Sequence, residues 1–250
     1  MSDRGLVVVT GGSSGIGRAL AESVPFPARV LNLSRRSAPG IEHVATDLSD
    51  PAGWDRAVEA LAEALGGFDG ARVLLVHAAG TLEPMGFAGE VDREGYRRQV
   101  LLNSACGQVL GDAFLRLSSG LGARRQIAML TSGASWSVFE GWSAYGAGKA
   151  ALDQWVRTVA AEQGLRGGCE VLSIAPGIVE TPMQQQIRAM DAHRFPRVEA
   201  FRERFAEGGN RTPEDVAPDI WQVLERTDLE NGSVIDLIEG PPPAPPIDAS

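Results

Sequence analysis

Short runs of apolar, often β-branched residues alternate along the chain with longer stretches of helical periodicity. The predicted strands cover residues 6–10, 29–34, 42–46, 73–77, 126–130, 171–175 and 233–237. The predicted helices cover residues 16–23, 51–65, 92–117 and 145–163. The run VLLVH at 73–77 is typical of a central parallel strand that is covered on both faces.

This alternation predicts a parallel sheet with right-handed crossovers and helices on both faces. We therefore expect a doubly wound, Rossmann-type α/β fold with three layers, α/β/α, and about seven strands. No linker or internal repeat divides the chain, so residues 1–240 are expected to form a single domain. Residues 178–211 are not periodic enough to assign. Residues 241–250 contain five prolines and are expected to form an extended, mobile tail.

Composition and charge exclude several classes of protein. The chain has 250 residues, is 44% hydrophobic and carries a formal net charge of −9, without a basic stretch that would bind nucleic acid or an anionic membrane. Its two cysteines, Cys106 and Cys169, form no metal-binding or redox spacing. There is no apolar stretch of the length that a membrane helix needs, and we do not expect the N-terminal residues to act as a signal peptide. We expect a soluble, cytoplasmic protein without a metal site.

A glycine-rich turn joins the first predicted strand to the first predicted helix. It reads Thr10-Gly11-Gly12-Ser13-Ser14-Gly15-Ile16-Gly17. Glycines at such a turn let the backbone approach a pyrophosphate, and the following helix directs free N–H groups at the phosphates. The turn therefore predicts a dinucleotide site, and the alternative is a glycine-rich turn without a ligand.

Tyr145 and Lys149 lie four residues apart in a predicted helix, so their side chains share one face. Lys149 is the only lysine among 23 basic residues. An ammonium beside a phenol favours the phenolate, so we expect Lys149 to lower the pKa of Tyr145 towards neutral pH. Such a phenol could supply the proton that a carbonyl oxygen gains when a hydride reduces it.

These features, in this order, resemble the short-chain dehydrogenase/reductase family over about residues 5–240. The glycine turn has the family spacing G-x-x-x-G-x-G, and Tyr145 to Lys149 matches its Tyr-x-x-x-Lys motif. The further matches are Asp47-Leu48, Ala78-Ala79-Gly80, Asn103, Ser132, Pro176-Gly177 and Thr181.

The resemblance implies four catalytic residues, which are Asn103, Ser132, Tyr145 and Lys149. Tyr145 would donate the proton, and Ser132 would polarise the substrate carbonyl. Asn103 would anchor a water relay to Lys149, whose ammonium also holds the nicotinamide ribose in the family. A buried asparagine with satisfied hydrogen bonds is the alternative for Asn103. Thr131 and Ser135 are the alternatives to Ser132.

The end of the second strand decides between NADP and NAD. An acidic residue there would bind the adenosine ribose and repel a 2′-phosphate, but this chain has Ser34-Arg35-Arg36. A guanidinium pairs with phosphate, so we predict NADPH with Arg35 as the main contact. The alternative is that Arg35 is a solvated surface charge. The implied cofactor contacts are Gly11, Ser13, Ser14, Gly15, Ile16, Gly17, Arg35, Asp47, Leu48, Ala78, Ala79, Gly80, Tyr145, Lys149, Pro176, Gly177, Val179 and Thr181.

His77 departs from the family pattern. The family usually has at this position the first asparagine of Asn-Asn-Ala-Gly, which braces the sheet under the cofactor. The departure therefore concerns local bracing more than cofactor binding. We favour a half-buried structural histidine over a catalytic one.

Substrate contacts are expected after Ser132 and after Gly177. The predicted contacts are Ser132, Trp142, Tyr145 and Met183. Trp136, Val138, Phe139, Ile187 and Met190 could complete an apolar, partly aromatic pocket, although about half of the apolar candidates should belong to the core or to a dimer contact.

Three segments are similar to the sepiapterin reductase and benzil reductase group of the family. They read PGIVETPMQ from Pro176, TPEDVA from Thr212, and Glu230-Asn231-Gly232 before Asp236. This likeness implies NADPH-dependent reduction of a ketone or a vicinal diketone, including aromatic ones. Asp236 could anchor the substrate, or it could be a capping or surface residue.

Two other functions remain open at this point. A 3-oxoacyl-carrier-protein reductase would use the same core but should carry a basic docking patch. A non-catalytic NADP-binding sensor would not need a proton donor. The family also implies a homodimer or homotetramer formed through the helices at 92–117 and 145–163, with Leu152, Trp155 and Val156 as possible contacts.

Overall fold

The fold is built on one parallel sheet. The computed structural model of the chain describes residues 2–238, so the proline-rich tail predicted at 241–250 lies outside the described residues. The strands are β1 (Ser2–Thr10), β2 (Ala28–Ser34), β3 (Glu42–Ala45), β4 (Gly70–His77), β5 (Arg124–Leu130), β6 (Glu170–Ala175) and β7 (Val234–Asp236). They pair in the order β3-β2-β1-β4-β5-β6-β7, with every neighbouring pair parallel. The predicted seven-stranded, doubly wound sheet is confirmed.

Helices cover both faces of the sheet and complete the three layers. They are α1 (Gly15–Glu22), α2 (Pro51–Leu65), α3 (Arg93–Val100), α4 (Cys106–Ser118), α5 (Ser143–Arg166), α6 (Pro182–Arg188), α7 (Val198–Ala206) and α8 (Pro213–Glu225). One apolar cluster lies between the sheet and α2, α4 and α5, and a second lies between the sheet and α1 and α8. The strand order changes direction between β1 and β4, where ligands bind in open parallel sheets.

The single helix predicted at 92–117 is interrupted in the structure. Helix α3 ends at Val100, a π-helical turn spans Leu101–Ala105, and α4 begins at Cys106. In this turn the N–H of Cys106 donates to the carbonyl of Leu101, five residues earlier. Such turns occur mostly as single insertions in helices, often at functional sites, and hydrophobic spacing does not reveal them. This one contains Asn103.

The unassigned segment at 178–211 folds into two short helices, α6 and α7. They pack with the loop before α5 around a third apolar cluster, which includes Trp142, Ile187 and Phe195. None of the helices within residues 2–238 combines the length and the apolar character that a bilayer crossing requires.

Helix α5 places two of the predicted dimer contacts inside the core. Leu152 and Val156 are both fully buried within the single chain, so neither is available to a partner subunit. Trp155 is half-buried and packs closely against Gly111 of α4, where an added Cβ would lie 2.3 Å from the indole ring. The expectation that Leu152 and Val156 serve a subunit interface was wrong.

Truncating Leu152 should therefore destabilise the fold itself. We expect Leu152→Ala to lower the free energy of unfolding by about 3 kcal/mol, because it removes buried methyl groups and leaves a cavity. Leu165→Ala is the matched control on the same helix. Leu165 is 88% exposed, and its truncation should change stability by about 0.5 kcal/mol or less. Urea denaturation of both variants measures the difference, and equal effects would contradict this assignment of Leu152 to the core.

Candidate active site

A cleft of about 1150 Å³ opens along the carboxyl ends of the central strands. It is lined by all the residues predicted to contact the cofactor, from the glycine turn to Thr181. Ser132, Trp142 and Met183 line it too. Of the predicted site residues, Asn103 alone lies behind the wall and is fully buried. Strands far apart in sequence thus bring the predicted residues together at one edge of the sheet.

The glycine turn is shaped for close backbone approach. Gly11 has a φ of +72°, and an added Cβ would lie 2.9 Å from the Cα of Ala79. A Cβ on Gly17 would lie 2.6 Å from the carbonyl oxygen of Gly11. The N-cap residue Ser14 makes no side-chain capping bond to α1, so the first N–H groups of this helix remain available to a ligand.

Arg35 lies at the edge of the cleft, immediately after β2. The hydroxyl of Ser34 and the amide of Asn32 both donate to the carbonyl of Arg36, at 2.7 and 3.3 Å, and fix the turn. Arg35 is exposed and forms no ion pair with any residue in the described range. Its guanidinium is therefore available to bind an anion such as a phosphate.

Asp47 follows β3, which pairs with β2, so it lies on the same side of the cleft as this turn, and protein groups already hold it. Its carboxylate accepts hydrogen bonds from the backbone and hydroxyl of Ser49 and pairs with Arg98 at 2.8 Å. Burial alone would raise the pKa of this carboxyl, but the bonds from Ser49 and the neighbouring cations hold it below its ordinary value. Asp47 is thus an ionised, oriented acceptor at neutral pH.

His77 braces the sheet at the floor of the cleft. Its Nδ1 lies 3.0 Å from the hydroxyl of Thr10 on β1, and that hydroxyl accepts the N–H of Ala79 at 3.1 Å. Burial, together with the charge of Lys149, lowers the pKa of His77 to about 3, so the ring is neutral. The geometry is that of the expected structural histidine, although the side chain is fully buried rather than half-buried.

Lys149 is buried in the wall of the cleft and is 4% exposed. Its ammonium donates to the carbonyl of Leu130, at the end of β5, over 2.7 Å. The same ammonium lies 5.8 Å from the centre of the Tyr145 ring. Burial lowers the pKa of Lys149 to about 8, and the nearby carboxylate of Asp153 opposes this shift. Lys149 is therefore a weakly solvated charge held at a fixed point.

Tyr145 faces Ser132 across the end of the cleft. Burial raises the pKa of Tyr145 above its ordinary value, and the nearby hydroxyl of Ser132 opposes that rise. The expectation that Lys149 lowers the pKa of Tyr145 was wrong, because desolvation of the phenolate raises this pKa. The hydroxyl of Ser132 also accepts the N–H of Ala134 at 3.2 Å, which caps the short 3₁₀ turn after β5. Tyr145 is thus a protonated phenol at neutral pH.

Asn103 uses its whole side-chain amide to hold one residue. Its Oδ1 accepts the N–H of Thr81 at 2.9 Å, and its Nδ2 donates to the carbonyl of Thr81 at 2.7 Å. An added Cβ on Gly80 would lie 3.2 Å from Asn103 Oδ1 and 3.6 Å from Lys149 Nζ. The side chain therefore braces the turn beside Lys149, and the water relay predicted for Asn103 stays a prediction.

Stacked aromatic rings lie in and behind the wall of the cleft near Tyr145. Trp142 stacks on Phe139 at 4.9 Å and on Phe195 at 4.8 Å, and it meets Tyr145 edge-on at 5.6 Å. Trp136, Phe139, Met183, Ile187 and Met190 also line the cleft. Val138 does not line it and is 78% exposed, so this pocket candidate was wrong. Asp236 reaches the cleft and also caps the N–H of Ile238.

Three residues that the sequence reasoning did not single out contribute to this site. Arg98 pairs with Asp47, and Phe195 completes the aromatic stack. Asp153 lies one helical turn beyond Lys149 and acts on its charge. The i+4 spacing from Lys149 could have indicated Asp153, whereas Arg98 and Phe195 reach the site only through tertiary packing.

The cleft fits a nicotinamide dinucleotide. The backbone cradle at Gly11 and Gly17 has no room for side chains, and the uncapped start of α1 offers N–H groups to a pyrophosphate. At the other end, Tyr145, Ser132 and Lys149 converge where a hydride acceptor would lie.

Comparison with known proteins agrees with this geometry. The model of the short chain dehydrogenase family matches residues 5–192. A benzil reductase ((S)-benzoin forming) of Bacillus subtilis is 28% identical over 94% of this chain and 98% of its own. A sepiapterin reductase of Rattus norvegicus is 30% identical over 93% of this chain and 95% of its own.

Solved structures share the fold at full length. The crystal structure of the KRED1-Pglu enzyme superimposes with a TM-score of 0.78 and 28% identity, covering 92% of this chain and 99% of that one. A short chain dehydrogenase from Burkholderia cenocepacia, in complex with NADP, has a TM-score of 0.71 and 26% identity, covering 92% and 94%. With the matched family model and the shared relatives, the chain belongs to the short-chain dehydrogenase/reductase family of NAD(P)-binding oxidoreductases, as its motifs predicted.

Proposed function

We propose that this chain is an NADPH-dependent reductase that converts a ketone or vicinal diketone to the alcohol, with Tyr145 as proton donor. One observation carries the proposal. A protonated Tyr145 next to the hydroxyl of Ser132 stands beside the buried ammonium of Lys149, at the end of a cleft fitted for a dinucleotide. The relatives named as benzil and sepiapterin reductases support a carbonyl substrate.

Residues of this chain would polarise and protonate the carbonyl oxygen. NADPH, when bound, supplies the hydride to the carbonyl carbon. Ser132 would donate a hydrogen bond to the carbonyl oxygen and draw charge towards it. Tyr145 would then give up its phenolic proton, because an alkoxide is a far stronger base than a phenolate. Lys149 would stabilise the phenolate that remains. The raised pKa of Tyr145 in the free protein keeps the phenol ready to act as an acid.

The aromatic wall supports a planar, apolar substrate. Phe139 and Trp142 line the cleft next to Tyr145, with the buried Phe195 stacked behind Trp142, and aryl groups pack well against such surfaces. An aryl ketone or diketone could therefore lie against this stack with its carbonyl at Tyr145. The relatives reported above are named as benzil and sepiapterin reductases and not as acyl-carrier-protein reductases. A sensor would have no use for the proton donor.

A substrate panel tests the proposed function. With NADPH, we expect the protein to turn over benzil and 1-phenyl-1,2-propanedione faster than acetoacetyl thioesters, as measured by NADPH oxidation and by the alcohol formed. Tyr145→Phe should lower turnover by at least about a hundredfold, because it removes the general acid, while NADPH binding stays near the wild-type level.

Three other outcomes would contradict this proposal. A preference for the acyl thioester would favour the carrier-protein reductase, and tight NADPH binding without turnover of any carbonyl would favour the sensor. A Tyr145→Phe variant that kept wild-type rates would remove Tyr145 from the mechanism. Fluorescence of bound NADPH establishes in each case that the cofactor site is intact.

The choice of NADPH over NADH rests on Arg35. Arg35 is exposed at the cleft edge, in a turn fixed by Ser34, and no acidic residue takes its place at the end of β2. We expect Arg35→Ala to raise the KM for NADPH about tenfold to a hundredfold, since a hydrogen-bonded charge pair contributes about 1.5–3 kcal/mol. The KM for NADH should barely change.

Arg36→Ala is the matched control for this prediction. Arg36 is the exposed neighbour of Arg35 in the same turn and also lines the cleft, and its backbone carbonyl accepts the bonds from Asn32 and Ser34 that hold the turn. It should leave the ratio of the two KM values close to that of the wild type. A wild-type protein that prefers NADH would contradict the assignment of NADPH. We also propose a cytoplasmic homodimer or homotetramer formed through α3 and α4, which cover the predicted helix at 92–117, and through α5.

A further inference from the structure

We propose that Asp153 is a positioning residue for the reduction, whose buried carboxylate, anchored by Ser135, keeps Lys149 in the ammonium form beside Tyr145. The proposal rests on the proposed function and adds a fifth residue to the four that the family motifs indicate.

The position of Asp153 follows from the helix. Tyr145, Lys149 and Asp153 succeed one another at intervals of four residues along α5, so they lie on one face of it. All three are buried, and Asp153 is only 2% exposed. A carboxylate at this depth has lost most of its hydration and needs nearby partners to compensate.

Asp153 has one strong partner and one unused oxygen. Its Oδ2 accepts the hydroxyl of Ser135 at 2.5 Å, from the 3₁₀ turn that Ser132 caps. Its Oδ1 is sealed from solvent and has no hydrogen-bond partner within residues 2–238. Ser135 therefore fixes the carboxylate in place, and its second oxygen is left without a hydrogen-bond donor in this part of the chain.

Lys149 is the buried cation along this face of α5, one helical turn before Asp153. The two side chains form no ion pair within 4 Å, so the carboxylate acts on the ammonium through space across the buried interior. The groups that face Lys149 are the carbonyl of Leu130 from β5, the neutral ring of His77 from β4, and Tyr145 and Asp153 from α5. Among them, Asp153 supplies the negative charge. Burial lowers the pKa of Lys149 to about 8, and Asp153 is the group that opposes this shift. Without Asp153, a larger fraction of Lys149 would be neutral near physiological pH.

Stability alone does not account for the arrangement. A buried charge without a full set of partners costs free energy, and replacing it by a neutral side chain of equal size is often tolerated. Asp153 does not touch the cleft, so it would not contact substrate or cofactor. Its effect on the reaction must pass through Lys149, which makes it a positioning residue and not a catalytic one.

The pH dependence of Asp153→Asn tests the proposal. Loss of the negative charge lowers the pKa of Lys149, so the ammonium is lost at lower pH. We expect the alkaline fall in kcat/KM for NADPH to move to lower pH by about one unit, which is about a tenfold loss on the alkaline side. The dissociation constant of NADPH, measured by fluorescence across the same pH range, should shift in parallel.

Two matched variants separate a charge effect from a packing effect. Asp153→Glu retains the charge and should keep the alkaline fall near its wild-type position, even if kcat declines. Asp55→Asn removes an exposed carboxylate from α2, away from the cleft and from the proposed subunit interface, and should change nothing. If the Asn variant does not fold, Asp153→Ser removes the same charge with a smaller side chain.

An Asn or Ser variant whose alkaline fall stays at the wild-type pH would overturn the proposal. So would a Glu variant that shifts as far as the Asn variant, because charge would then not be the cause. The NADPH-binding readout does not depend on ketone turnover. If the protein reduces no ketone, the proposed function is wrong. The pH dependence of the NADPH dissociation constant would still test the effect of Asp153 on Lys149.

Discussion

The buried contact between the Lys149 ammonium and the Leu130 carbonyl is the constraint on which the site depends. A charge at 4% exposure keeps little hydration, so the protein must supply its partners. The end of β5 offers a carbonyl, and α5 offers Tyr145 and Asp153 on the same face. A compact ammonium suits this narrow position better than a planar guanidinium, which explains why the single lysine of an arginine-rich chain is found here.

The rest of the cleft is arranged around that point. Thr10 and His77 hold β1 to β4, and Asn103 holds Thr81, so the turn that faces Lys149 is fixed from below and behind. Ser132 begins the turn that Ser135 ties to Asp153. Lys149, Ser132 and the turn at Thr81 are thus held by hydrogen bonds from β5, from the turn after β5 and from the π turn. Such preorganisation is what electrostatic catalysis needs.

The sequence was sufficient for the sheet and for the cleft, because both depend on local patterns. Apolar runs, the glycine turn and the i+4 spacing of Tyr145 and Lys149 each reflect backbone geometry. The π turn around Asn103 and the helices within 178–211 were not predictable, since tertiary packing decides them. The pKa of Tyr145 was predicted in the wrong direction because spacing reveals a neighbouring charge but not the depth of burial. For the same reason, the sequence did not show that Leu152 and Val156 are buried in the core and cannot lie at a subunit interface.

The ionisation of Lys149 can be measured directly, because the chain has no other lysine. Protein labelled with ¹³C at the lysine Cε gives one lysine resonance, and its chemical shift reports the charge of Lys149 as the pH is changed. The central claim is that the Lys149 ammonium is buried and that protein groups, in place of water, are its partners. It predicts a pKa of about 8 in the free protein. Titration near the ordinary value of 10.5 would show a solvated lysine and contradict it.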